Sequence, residues 1–218
     1  MPKTIYVVGG TNGVGKSTLR EKLLEPHIPY INADFIALNL KAQQASLMLA
    51  ELAREYGTEQ MKQYIAGNQS FAFENNLHEV STYRWLEEMR KKGYDIQIFY
   101  IGVDNLEITT KRIQERVKRG EHHVPPDEVY ARHKNGLNLL RQYFSFPDKL
   151  FLLDNSEIAY TCLEASKGQV TNRLETLPAW VDDFMQSLDQ KQVLSAKDLN
   201  SIDEVRKSYE QLKQKGQF

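Results

Sequence analysis

The residues with the plainest chemistry are Gly10-Thr11-Asn12-Gly13-Val14-Gly15-Lys16-Ser17. Their spacing fits G-x-x-x-x-G-K-[ST], which suits the phosphates of a nucleoside triphosphate. Glycines let the backbone curl until its N–H groups converge on phosphate oxygens, and a helix N-terminus behind them adds positive potential. Lys16 is expected to reach the outer phosphates, and Ser17 to ligate Mg²⁺ through its hydroxyl. Gly10, Asn12, Gly13, Val14, Gly15 and Thr18 would line the rest of an ATP site.

Further carboxylates and cations follow at intervals. Asp34 comes just after the short strand Tyr30-Ile31-Asn32 and Glu74 closes Ser70-Phe71-Ala72-Phe73-Glu74, so both fall where strands deliver ligands in an open parallel sheet. Each also suits a helix cap. Asp104, at the end of another apolar run, reads either as a Mg²⁺-side carboxylate or as the cap of the next helix. Arg112, Arg116 and Arg119 are spaced i, i+4, i+7 and share a helix face. A solvated charged face would explain them, but Gly120 and Pro125-Pro126 just beyond suit a mobile lid whose guanidinium groups bind phosphate bidentately. His122-His123 lacks the companions a transition-metal site needs.

The elements that must position these groups read as an α/β alternation. Thr4–Val8 is a buried strand and Thr18–Leu24 an amphipathic helix. A helical pattern over Ile36–Tyr56, with Ala45, Met48, Leu49, Leu52 and Tyr56 on one face, is expected to stop at Gly57, and Thr58 to cap a second short helix ending at Gly67. The polar loop Asn75-Asn76 leads into a helix over 77–92, followed by a strand from Asp95, a helix over 106–118, a helix from Asp127 to Tyr143 and a fifth strand over 149–153. Asp154-Asn155-Ser156 then falls on the ligand rim. A hairpin turns at Ser166-Lys167-Gly168, and Pro178 opens a last helix. The expected fold is three-layer α/β with a mostly parallel five-stranded sheet, a kinase-type domain over residues 1–190 with its lid at 112–132, and a helical tail over 191–218.

At 218 residues and 41% hydrophobic content the chain suits one domain with a sizeable core. A net charge of −1 gives no broad footprint for nucleic acid, and the single cysteine, Cys162, permits no internal disulfide. No stretch has the apolar length of a membrane span. With the first strand starting near Met1, little room exists for a targeting sequence, so a cytoplasmic location is expected.

Taken in order, Gly10 to Thr18, Asn32-Ala33-Asp34, Ser70 to Glu74, Arg112 to Arg119 leading into His123-Val124-Pro125, Arg132, and Asp154-Asn155-Ser156 resemble the zeta-toxin-like P-loop kinases. Where relatives commonly carry threonines after the third strand, this chain has Asn75 and Asn76. The resemblance implies that Asp34 is the base toward a sugar hydroxyl. Glu74, beside Asn76, would hold substrate or the metal shell, and Arg112, Arg116, Arg119 and Arg132, with Asn155, would contact ATP or substrate. It further implies a nucleotide-sugar acceptor such as UDP-N-acetylglucosamine and an antitoxin protein as partner. The competing reading is a nucleotide-dependent ATPase or switch acting through a protein partner.

Overall fold

In the computed structural model, residues 3–33, 36, 46–118 and 123–188 are described. Strands β1 (Thr4–Gly9), β2 (Tyr30–Ile31), β3 (Phe71–Asn75), β4 (Asp95–Gly102), β5 (Lys149–Asp154), β6 (Tyr160–Ser166) and β7 (Gln169–Arg173) form one sheet in the order β2-β3-β1-β4-β5-β6-β7. The first five in that order are parallel, and the β6–β7 hairpin continues the same sheet antiparallel. The sheet is therefore wider than the five expected strands, although those five are its parallel core. Helices α1 (Lys16–Leu23), α2 (Ser46–Ala66) and α3 (Val80–Lys91) alternate with the first four strands, and α4 (Leu106–Lys118) and α5 (Pro126–Gln142) together join β4 to β5.

Both faces of the sheet are covered. Consecutive residues Val7 and Val8 of β1 are each fully buried although their side chains leave opposite faces. On one face Val8, Phe99, Ile101 and Leu153 pack with Val14 and with Leu19 of α1, and the facing rings of Phe99 and Phe151 stack at 4.8 Å. Chain order reverses about β1, whose neighbours are β3 on one side and β4 on the other, and ligands bind beyond the strand ends at such a switch point.

Register brings the carboxyl ends level. Gly9 pairs with both Asn75 and Tyr100, and Gly102 pairs with Asp154. The loops that follow β1, β3 and β5 thus emerge on one rim.

Three local expectations are corrected. Gly57 does not end a helix, because α2 runs through it to Ala66, and Thr58 bonds back to the Arg54 carbonyl at 2.8 Å instead of capping. A glycine inside a helix costs only about 1 kcal/mol, and here it permits close packing. A Cβ at Gly57 would lie 3.3 Å from Ile31 Cγ2 of β2. Leu52 and Tyr56 are accordingly exposed while Ala53 and Gly57 are buried, so small residues form the inward line. The side chains of Met48 and Leu49, and residue Ala45, lie outside the described residues.

The helix expected from Leu77 begins at Val80 instead. Leu77 takes a left-handed φ of 56°, its N–H bonding Asn75 Oδ1 at 2.7 Å, and seats its side chain over Gly9. Tyr83, Leu86 and Met89 carry the buried face of α3.

Asp104 does not cap α4. Its Oδ1 accepts the Trp180 N–H at 3.2 Å, and Asn105 Oδ1 caps α4 through the Glu107 N–H at 2.8 Å. A one-residue ambiguity in an Asp-Asn pair is beyond what capping preference resolves.

Compactness separates Met1–Trp180 from Val181–Phe218. Within the second unit, residues 181–188 are helical, and 189–218, which include the helical tail expected over 191–218, lie outside the described residues. Among the described residues no helix is long and apolar enough to cross a membrane.

Candidate active site

The Gly10–Ser17 loop joins β1 to α1 as its spacing predicts, with φ positive at Gly10, Gly13 and Gly15. Neighbouring backbone makes two of those glycines obligatory, since a Cβ would fall 2.2 Å from the Ile101 carbonyl at Gly10 and 2.7 Å from that of Thr109 at Gly13. Such a nest, opening into a helix N-terminus, is the chemistry of a phosphate cradle. Val14 contributes backbone only, its side chain being fully buried in the core. Thr18 is exposed on the first turn of α1.

Lys16 is 6% exposed and folds back across the loop. Its ammonium donates to Gly10 O at 2.8 Å, Thr11 O at 3.0 Å and Asn76 Oδ1 at 2.9 Å, and lies 3.6 Å from Glu74 Oε1. Asn76 Nδ2 in turn donates to Asn12 Oδ1 at 3.0 Å, as does Arg132 Nη1 of α5 at 2.8 Å. Arg132 also pairs with Glu128 one turn earlier. A continuous polar chain therefore runs from the loop lysine through two asparagines to the arginine of α5.

Glu74, at the end of β3, faces Ser17. Its Oε2 accepts from Ser17 Oγ at 2.8 Å, Tyr30 OH at 2.8 Å and Asn32 Nδ2 at 2.6 Å, and Asn32 Nδ2 also reaches Ser17 Oγ at 3.1 Å. Burial, reinforced by the Glu74 charge, pushes the Tyr30 phenol far above its usual range, so it stays a donor. A serine hydroxyl has one proton and two lone pairs. With the proton on Glu74 and one lone pair on Asn32, Ser17 keeps a lone pair for a cation. An oxygen-only set with few protein ligands suits Mg²⁺, which binds through one or two side chains plus phosphate oxygens. The residues present thus fit Mg²⁺, with Ser17 and Glu74 on its side of the loop.

On the far side of the loop, Asn155 Nδ2 donates to Val14 O at 2.7 Å and lies where a Gly15 Cβ would be. Arg112 Nη2 donates to Asn155 O at 3.0 Å and Ser156 O at 3.4 Å, while its Nη1 is buried with no protein partner. Arg112 thus braces the β5–β6 loop against the phosphate loop. Asp154 is an anchor for the same loop, accepting from Trp180 Nε1 at 2.9 Å and from the Ser156 N–H at 3.0 Å. Arg116 is half-buried one turn beyond Arg112. Asp34, Arg119 and His122 lie outside the described residues.

Sequence reasoning missed Tyr30 and Asn32 as partners of Glu74. Their i, i+2 spacing puts them on one face, the available signal. It also missed His78, whose Nδ1 is buried without a protein partner. Burial holds that imidazole below its usual range, Glu79 and Glu128 opposing and Arg132 and Lys16 reinforcing. Nothing in the sequence marked it.

No model of a known protein family matches the sequence. By structure, the chain is similar to a component of the PezAT chromosomal toxin-antitoxin system of Streptococcus pneumoniae, with a TM-score of 0.56 at 13% identity over 88% of this chain and 86% of that one. It is also similar to a chain of the AvrRxo1-ORF1:AvrRxo1-ORF2 complex, with a TM-score of 0.60 at 12% identity over 84% of this chain and 63% of that one. A form of that complex solved with ATP gives 0.58 at 11% identity, over 78% and 60%. At these identities the likeness is one of fold, the three-layer P-loop NTPase and kinase architecture. In sequence, the chain is 32% identical over 127 residues, 57% of its length, to an uncharacterized protein of Haemophilus influenzae, 88% of which is matched. The chain belongs to the family of that Haemophilus influenzae protein.

Proposed function

We propose that the protein is an ATP-dependent phosphotransferase that moves the γ-phosphoryl group to a hydroxyl of a small acceptor. The observation that carries this reading is the convergence of Lys16, Ser17 and Glu74, with Arg132 linked to the same loop through Asn12 and Asn76. Phosphoryl transfer demands mainly positioning and charge stabilisation, which a cradle of backbone N–H groups, a lysine and arginines from separate elements supply. When bound, Mg²⁺ would neutralise charge on the phosphate oxygens. Lys16 holds the outer phosphates, Ser17 and Glu74 hold the cation side, and Arg112, Arg116, Arg119 and Arg132 close over the triphosphate. In the transfer the γ-phosphorus breaks its bond to the β–γ bridging oxygen and bonds the acceptor oxygen, whose proton passes to Asp34; ADP leaves.

The resemblance in the Asn32-Ala33-Asp34 stretch supports a nucleotide-sugar acceptor, and the one toxin-antitoxin component reported in the fold comparison supports a protein inhibitor as partner. The test is ADP release from ATP and Mg²⁺ with and without a panel of nucleotide sugars and nucleosides. Acceptor-dependent release that is abolished by Asp34→Asn, with ATP binding retained, is expected. Release that ignores every acceptor and responds only to a protein partner would make the chain a nucleotide-driven switch.

A further inference from the structure

Tyr30 and Asn32 meet on one oxygen atom of Glu74. Both project from the β2 end onto Glu74 Oε2, at 2.8 and 2.6 Å, from the side opposite β1. The third donor to that oxygen is Ser17, the hydroxyl on the cation side of the phosphate loop. Glu74 is therefore fixed at both ends, by Lys16 near Oε1 and by three donors on Oε2. The Tyr30 ring is itself held in place, with the Arg20 guanidinium 5.2 Å from its centroid.

A glutamate has three rotatable side-chain bonds, and an untethered one at a strand end samples many rotamers. Fixing it before the ligand arrives removes that entropy from binding, which is how outer partners of metal sites raise affinity. We infer that Tyr30 is a positioning residue for the divalent cation that accompanies the nucleotide, acting through Glu74 and assisted by Asn32. Tyr30 touches neither phosphate nor cation in this scheme. Its hydroxyl sets where the carboxylate points, and the carboxylate sets which lone pair Ser17 offers. The inference rests on the nucleotide-site reading above and adds residues to it from a strand with no part in the phosphate loop.

The experiment uses the full chain, ADP and Mn²⁺ as a paramagnetic stand-in for Mg²⁺. Mn²⁺ affinity of the ADP-loaded protein is read by electron paramagnetic resonance, and ADP affinity is read separately in EDTA. Tyr30→Phe is expected to weaken Mn²⁺ binding by about tenfold, the usual scale for loss of an outer partner, while leaving metal-free ADP binding unchanged. In a Glu74→Gln background the same change should add nothing, because the two act through one contact. Asn32→Ala, which removes the other β2 donor, should give the same selective loss and decides the matter should Tyr30→Phe prove unstable. Wild-type protein that binds ADP and Mn²⁺ while Tyr30→Phe binds Mn²⁺ equally well overturns this inference alone. So does a Tyr30→Phe loss that adds in full to that of Glu74→Gln. Wild-type protein that takes no ADP overturns the nucleotide reading, and this inference with it.

Discussion

A methyl group at Gly15 would lie 2.4 Å from Asn155 Nδ2, at a backbone φ of 97°. Gly15→Ala therefore imposes two costs. The left-handed conformation is worth about 1–2 kcal/mol against any residue with a Cβ, and Asn155 must swing away, giving up its bond to the Val14 carbonyl. The expected outcome is a lower melting temperature together with at least about tenfold weaker ATP binding by titration, since 1.4 kcal/mol of cradle distortion is a factor of ten. A variant with unaltered ATP affinity would show that Asn155 does not shape the site. At this scale the sequence was most legible where a spacing rule has a stereochemical cause. Gly10, Gly13, Gly15, Lys16 and Ser17 stand where the motif puts them because only that pattern curls the backbone without clashes. It was least legible where the role depends on a neighbour distant in sequence. Glu74 lies at a strand end as expected, but its contact with Ser17 and its dependence on Tyr30 and Asn32 come from strand order, which no local pattern encodes.

Elements hold these residues through contacts whose cost can be read in stability. Helix α2 approaches β2 at Gly57, where a Cβ meets Ile31 Cγ2 at 3.3 Å and Ile36 Cδ1 at 3.6 Å. Gly57→Ala regains about 1 kcal/mol of helix propensity and loses a comparable amount to crowding, so denaturant melts should find it nearly neutral. Gly57→Leu has no room, and overpacking should cost about 1–3 kcal/mol. Equal stabilities for glycine and leucine there would mean that α2 does not press on β2. Sequence periodicity placed Leu52 and Tyr56 inward because it weighs large apolar residues, whereas this contact is made by small ones. At the other end of the sheet, Asp148 ties α3 to β4: its Oδ2 accepts from Arg90 at 3.0 Å and from the Ile96 N–H at 2.9 Å. Burial alone would raise this carboxyl, but the Ile96 bond and Arg90, with Lys167 beyond, outweigh it and hold the group below its ordinary value near 3.8. A depressed carboxylate stabilises the fold above its unfolded value and loses that contribution as pH falls through the folded one. Urea melts from about pH 5 towards pH 2 should therefore fall less steeply for Asp148→Asn than for wild type. Parallel curves would contradict the assignment.

Across the whole molecule, what organises the site is the position of β1 between β3 and β4. That placement brings Asn76 to the lysine, Glu74 to the serine and Asn155 to the far side of the loop, from segments that span most of the described chain. The alternation of strands and helices was readable because parallel strands buried on both faces carry continuous apolar runs, as in Ile98-Phe99-Tyr100-Ile101 of β4. The strand order and the joining of the hairpin to the same sheet were not, since they depend on which edges pair. Fold likeness at 11–13% identity carries the architecture and stops short of the acceptor. The central claim is that this rim transfers phosphoryl groups to a small hydroxyl compound. Its most direct test is mass spectrometry of a nucleotide-sugar panel after incubation with the full chain, ATP and Mg²⁺. The account predicts one acceptor heavier by a single phosphoryl group, with equimolar ADP, and neither product from Lys16→Ala. ATP converted to ADP while every acceptor keeps its mass would contradict it.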